Sequence, residues 1–177
     1  EDGNELAYYR ELYATDRETK IDSLKKLRPR FKTKSGRTVY GGGGITPDIY
    51  LPYKSTINSE TLKVLRNPKR PFFNFASKHS SNIKGQYESF VDFKSNWKLP
   101  NILLDDFILY LEKDSIEVDK DSLLLDKLYI ENQLKSELAG SVWGKNESAN
   151  IRLATDNQVL EALKHFDEAD AFIKSIN

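Results

Sequence analysis

The sequence predicts a mostly helical α+β fold, with a small N-terminal β-hairpin and strand followed by a helical bundle. Two short β-prone runs flank a glycine-containing turn within the first 53 residues. Beyond Pro52, apolar residues recur every three or four positions in segments that contain little glycine. The chain has 177 residues, of which 38% are hydrophobic, so it can bury a core of its own. We expect two parts, residues 1–53 and residues 54–177.

The N-terminal part is expected to begin with a short helix over residues 4–13, where leucine and tyrosine stand at helical spacing. Two strands are predicted at residues 30–33 and 38–40. Gly36, between them, can adopt the positive φ that a tight hairpin turn requires. Residues 49–51 are predicted to resume an extended course after the glycine run.

Helices are predicted throughout the second part. Their starts are expected at Asn58 or Ser59, at Pro71, after Pro100, at Asp121 or Ser122, and at the capping-box pattern from Thr155 to Gln158. The helix that opens at Asp121 or Ser122 is expected to run to about Trp143, with Gly144 near its end. Each of the last three helices is expected to have a buried apolar face. The helix after Pro100 should bury Leu103, Leu104, Phe107, Ile108 and Leu111. The next should bury Leu124, Leu128, Leu134, Leu138 and Val142, and the last should bury Val159, Leu163, Phe166, Ala169 and Ile173.

The segment 80–96 is left open by the pattern. Two structures are compatible with its aromatic residues: a strand that carries them, or a loop under which they pack. These residues are Phe90, Phe93 and Trp97.

Composition excludes several kinds of site. The chain has no cysteine, which rules out disulfides, thiol catalysis and cysteine metal sites. Its two histidines, His79 and His165, stand in no metal-type or triad-type arrangement, so we expect no metal and no cofactor. No apolar stretch approaches the roughly 20 residues that span a bilayer. The 27 basic and 27 acidic residues balance, although residues 1–98 carry a net charge of +8 and the remainder −8.

Three motifs have a functional and a simpler reading. The glycine run at residues 41–44 could cradle phosphate, but the lysine and helix start of a nucleotide loop do not follow it, which favours a tight structural turn. The basic cluster over residues 20–37 could contact nucleic acid, but a solvated face is commoner and we expect no nucleic-acid partner. The Ser-x-x-Lys pairs at 23–26 and 81–84 lack the accompanying motifs of penicillin-binding enzymes.

The run from Gly36 to Ile49 resembles the segment Gly-Arg-x-Val-x-Gly-Gly-Gly-Ile-x-Pro-Asp-Ile that follows the catalytic core in the carboxyl-terminal processing proteases, also called tail-specific proteases. These are serine endopeptidases. The residues that carry the resemblance, with a structural role in the family, are Gly36, Arg37, Val39, Gly41, Gly42, Gly43, Gly44, Ile45, Pro47, Asp48 and Ile49.

The resemblance implies that residues 1–53 close a protease core and that residues 54–177 form a C-terminal helical domain. The serine and lysine of the catalytic dyad, and a PDZ-like domain that presents protein or peptide substrates, would lie upstream. No catalytic residue is expected in this chain. The segment Trp143-Gly-Lys145 resembles the end of a C-terminal helix in the family, so Lys145 is not expected to be the catalytic lysine. The parent protein would work in the bacterial periplasm or cell envelope.

Methionine is absent, and position 1 is glutamate, so we expect the chain to be a processed or excised piece. The alternative hypothesis is an independent helical protein-protein interaction module without protease activity.

Overall fold

The structure of the protein is a computed structural model that describes residues 28–34, 36–41, 51 and 57–174. This part of the chain is mostly helical with a small β-sheet near its start, which confirms the predicted fold class. The expected helix over residues 4–13 and most of the expected strand at 49–51 lie outside the described residues. The chain divides into two compact units, one of residues 55–160 and one of residues 1–54 together with 161–177.

The β-sheet of the second unit is the predicted hairpin. Strand β1 (Arg30–Lys32) pairs with β2 (Thr38–Tyr40) in antiparallel register, with Phe31 opposite Val39. Gly36 has a φ of 81°, as the turn prediction requires. Helix α9 (Phe166–Lys174) belongs to the same unit.

The unit of residues 55–160 is built from helices. In chain order they are α1 (Ser59–Leu65), α2 (Pro71–Gln86), α3 (Phe90–Asn96), α4 (Asn101–Lys113), α5 (Lys120–Leu125), α6 (Lys127–Val142), α7 (Lys145–Leu153) and the first part of α8 (Asn157–Leu163). The most extensive contacts are those of α6 with α2 and with α7. The long helix α6 is therefore the centre of this unit.

The structure confirms the helix starts that were predicted at Asn58 and at Pro71. The side-chain oxygen of Asn58 accepts hydrogen bonds from the backbone amides of Glu60 (2.9 Å) and Thr61 (3.0 Å), which caps α1. Pro71 occupies the first position of α2, where its missing amide proton costs no helical hydrogen bond.

Aromatic rings fill the core of the helical unit. The fully buried ring of Phe107 stacks on Phe72, with 4.9 Å between centroids, and meets the edge of Phe75 at 5.1 Å. The segment that the sequence left open is helical: α2 extends to Gln86, and α3 buries Phe93 while Trp97 is buried just beyond its end. These rings belong to the core and not to a strand.

The single helix predicted from residue 121 to 143 is wrong. Asp119 caps α5, and the chain breaks at Asp126 before α6 begins. Leu128 is 82% exposed, although the sequence placed it on the buried side. Ile130 is buried instead, and two residues correspond to about 200° around a helix, so Leu128 lies on the opposite face.

The predicted last helix is also two helices. The chain turns at Lys164 and His165 between α8 and α9, and this turn shifts the helical phase. The expected stripe does not form a core: Leu163, Phe166, Ala169 and Ile173 are exposed and Val159 is half-buried. The cap of α8 is Asp156, whose carboxylate accepts from the amides of Gln158 and Val159, and not Thr155.

We predict that Thr61→Val raises the free energy of unfolding by about 1 kcal/mol. The Thr61 side chain is fully buried, and its hydroxyl oxygen has no hydrogen-bond partner within the described part of the chain, so folding desolvates it without compensation. Valine keeps the shape and removes the hydroxyl. Thr61→Ser, which keeps the hydroxyl and removes the methyl group, should be less stable than wild type in the same urea titrations. A loss of stability in Thr61→Val would contradict the prediction.

Candidate functional site

The hairpin carries the part of the glycine motif that the structure describes. The amide of Gly36 donates to the carbonyl of Thr33 at 2.9 Å, and the amide of Thr33 donates to the carbonyl of Arg37 at 2.9 Å. The amide of Arg37 also reaches the Thr33 hydroxyl at 3.1 Å. This is a turn in which a left-handed residue forms a bulge, and glycine adopts that conformation without strain.

Gly41, the first residue of the glycine run, lies directly after β2 and continues the pairing. Its amide donates to the carbonyl of Pro29 at 2.8 Å. A Cβ atom on residue 41 would lie only 2.6 Å from Cε2 of the Phe31 ring. The ring of Phe31 therefore covers the backbone of Gly41, and a larger residue would displace it.

Of the remaining motif residues, the structure describes two and leaves the others outside its described ranges. Val39 and Arg37 are half-buried in the hairpin. The others lie outside the described residues: Gly42, Gly43, Gly44, Ile45, Pro47, Asp48 and Ile49.

We predict that Gly41→Ala moves the Phe31 ring away from residue 41, because the new methyl group takes its space. The ring-current shifts of the residue 41 protons should disappear in NMR spectra. In Phe31→Ala the ring is absent. Gly41→Ala should therefore destabilise the hairpin less in the Phe31→Ala background than in wild type, and the two losses of stability should differ by a coupling energy on the order of 1 kcal/mol. Additive effects of the two substitutions would contradict this account.

The residues weighed as candidates for lysine and histidine chemistry lie apart. Ser81 and Lys84 are exposed on α2, and Lys145 is exposed at the first position of α7. The Nδ1 atom of His79 donates to the carbonyl of Phe75 at 2.9 Å. His165 contacts the carboxylate of Glu168 at 2.8 Å. Within the described ranges, no three histidine, aspartate or glutamate side chains converge to hold a metal ion.

Lys135 is a residue that the sequence analysis did not single out. Its amine donates to the backbone carbonyls of Lys94 (2.8 Å) and Trp97 (2.9 Å), so a side chain from α6 caps the end of α3. It also lies 5.9 Å from the ring centroid of Phe93. No local sequence signal marks this role, because it depends on α3 and α6 lying side by side.

Burial lowers the pKa of Lys135 below its ordinary value. The ammonium groups of Lys98 and Lys94 lower this pKa further, against the opposing effect of Glu131. The two carbonyl oxygens therefore hold the Lys135 amine in a position where burial disfavours its charged form.

We predict that the stability of wild type relative to Lys135→Met increases with pH on the alkaline side. The unfolded chain binds the Lys135 proton more tightly than the native protein. Between the lowered native pKa and the unfolded value of about 10.4, this group therefore makes the free energy of unfolding rise with pH. Tyr110, whose pKa is raised mainly by burial, titrates in both proteins and cancels in the comparison. Parallel profiles of wild type and variant in urea unfolding would contradict the prediction.

A buried polar cluster joins α6 to α7. The Ser136 hydroxyl lies 3.0 Å from the Ser148 hydroxyl, and Nη1 of Arg152 donates to both, at 3.1 Å and 2.8 Å. A Cβ atom on Gly140 would lie 3.2 Å from that of Ser148, so glycine allows the two helices to approach closely. Ser148 is thus a packing residue between the two helices.

Among the described helices, none combines the length and the apolar character that crossing a bilayer demands. Residues 69–144 match a family of unknown function, DUF8443. The matched range begins at the turn before α2 and ends at Gly144, between α6 and α7. No curated protein and no solved structure matches the chain.

Proposed function

We propose that this chain is the non-catalytic C-terminal region of a carboxyl-terminal processing serine endopeptidase. The observation that carries the proposal is the hairpin. Gly36 stands at a positive φ, and Gly41 lies under the Phe31 ring, so two glycines of the resembling segment occupy positions that favour glycine. A protease tail of this kind would use the hairpin to close the edge of the catalytic core.

Within that proposal, the helical unit of residues 55–160 scaffolds or regulates the upstream catalytic core and its PDZ-like domain. The unit has its own aromatic and aliphatic core, centred on α2, α4 and α6. Peptide-bond hydrolysis would belong to the upstream serine and lysine, with the lysine kept neutral by burial to accept the serine proton. Substrates would be proteins or peptides of the bacterial periplasm or cell envelope.

The reading frame upstream of Glu1 tests the proposal. We expect it to encode a PDZ-like domain followed by a catalytic core with the serine and lysine dyad. A start codon or a secretion signal directly before Glu1 would contradict it. On the isolated chain, a serine-reactive phosphonate should label nothing, and stoichiometric labelling of any serine would refute the non-catalytic role.

An independent protein-interaction module is the second candidate. The observation that favours it is a helical unit with a complete core and several exposed apolar side chains. Sedimentation velocity distinguishes the two candidates. A protease tail separated from its core should self-associate through the hairpin, where Phe31 is 58% exposed, and Phe31→Ser should restore a monomer. A clean monomer in the wild-type chain favours the module.

A further inference from the structure

Three strongly exposed apolar side chains lie on consecutive helices of the unit of residues 55–160. Ile102, in the first turn of α4, is 73% exposed. Leu125, at the end of α5, is 83% exposed, and Leu128, at the start of α6, is 82% exposed. Each leaves water only if another molecule covers it, and together they form a candidate contact surface.

A hydrogen bond links α6 to α4, and an ion pair links α5 to α4. The amine of Lys127 donates to the side-chain oxygen of Asn101 at 2.8 Å. Asn101 immediately precedes Ile102, and Lys127 lies between Leu125 and Leu128 in the chain. We call the area around Ile102, Leu125 and Leu128 the Leu128 surface.

Acidic residues surround the Leu128 surface. Four acidic side chains stand within one helical turn of the three apolar residues. On a helix, positions three or four apart are neighbours. Asp105 and Asp106 therefore lie one turn from Ile102, Asp121 lies one turn before Leu125, and Glu131 lies one turn after Leu128.

Two basic side chains near this surface, those of Lys120 and Lys127, already have partners. The amine of Lys120 is 3.8 Å from a carboxylate oxygen of Asp105, and the amine of Lys127 is bonded to Asn101. Asp106 and Asp121 are exposed. The surface thus combines apolar side chains with a net negative rim.

We propose that the Leu128 surface binds a basic amphipathic segment of a partner protein. Leucine-like side chains of the partner would cover Ile102, Leu125 and Leu128, while its lysine or arginine side chains would face the acidic rim. The rim argues against a second copy of the chain as the occupant, because a two-fold symmetric contact would bring like charges together. It also opposes docking on an anionic lipid surface.

Two synthetic peptides test the charge requirement with the whole 177-residue chain. One is a fluorescent helix-forming peptide of leucine and lysine, and the other has the same pattern with glutamate in place of lysine. We expect fluorescence anisotropy to show binding of the lysine peptide, with an affinity that falls as salt is added. The glutamate peptide should bind at least about tenfold more weakly, because the rim repels it.

Variants test the location. Leu125→Ser combined with Leu128→Ser should weaken binding of the lysine peptide on the order of tenfold or more, because two apolar contacts are lost. Val91→Ser is the matched control, since Val91 is 71% exposed on α3 and lies outside the surface. Circular dichroism should show unchanged helix content in both variants. Asp106→Asn combined with Asp121→Asn should reduce the salt dependence.

Several results would overturn the proposal. These are no binding of the lysine peptide, equal binding of the two peptides, or an equal loss of affinity in the Val91→Ser control. Self-association of the chain that Leu125→Ser with Leu128→Ser removes would assign the surface to a second copy instead. The Leu128 surface belongs to the helical unit alone, so the outcome of the peptide experiment is independent of what the upstream reading frame encodes.

Discussion

Phe107→Ala should lower the free energy of unfolding of the helical unit by about 3–5 kcal/mol. The Phe107 side chain is fully buried, and its ring contacts Phe72 and Phe75 from neighbouring α2. Removing the ring loses its buried apolar area and leaves a cavity that its two rigid aromatic neighbours cannot close by a small movement. Guanidinium or urea titration followed by circular dichroism measures the change.

Leu109→Ala is the control for Phe107→Ala, because Leu109 lies on the same helix and is exposed. We expect its effect to stay within about 0.5 kcal/mol, as is usual for surface substitutions. Similar losses in the two variants would mean that burial of the Phe107 ring is not the source of its contribution, because alanine improves helix propensity at both positions.

Gly144→Ala should have the second largest effect, a loss on the order of 1–3 kcal/mol. Gly144 joins α6 to α7 with a φ of 125° and a ψ of −178°, a backbone conformation that is essentially restricted to glycine. An added Cβ would also lie 3.3 Å from a carboxylate oxygen of Glu147. Thermal unfolding should show a lower melting temperature than wild type.

Gly85→Ala provides the matched control for Gly144→Ala. Gly85 lies within α2, and apart from the adjoining residues and the backbone of its own helix no atom lies within 4 Å of the position its Cβ would take. Alanine should therefore raise the free energy of unfolding by up to about 1 kcal/mol through its better helix propensity. If both alanine variants shift stability in the same direction, the special backbone of Gly144 is not the cause.

Local signals in the sequence predicted those elements whose causes are local. Asn58 caps a helix through its own side chain, and Pro71 starts one because its φ is already fixed. The hairpin was likewise predictable because Gly36 marks its turn. The buried face of α4, with Leu104 and Phe107, followed from helical spacing alone.

The break before α6 depends on a contact that no local pattern reveals. The carboxylate of Asp126 accepts a hydrogen bond from the backbone amide of Asn58 at 2.8 Å, across 68 residues of sequence. The chain therefore turns at Asp126 although its neighbours favour a continuous helix. The exposure of Leu128 follows from this break, so the Leu128 surface could be recognised only in the structure.

The motif site was predictable in part. Gly36 and Gly41 could be assigned to turn and close-approach positions from their residue type. The capping role of Lys135 could not, because it requires α3 and α6 to be side by side in space.

The contact of Lys135 with the end of α3 also has a consequence for amide hydrogen exchange. Helix α3 has seven residues, and isolated helices shorter than about 12 residues are marginal in water. Its carbonyls at Lys94 and Trp97 are held by an amine that belongs to α6. The amides of α3 should therefore lose protection in the same subglobal opening as α6. The two helices would then behave as one cooperative unit, although 29 residues lie between Trp97 and Lys127 in the chain.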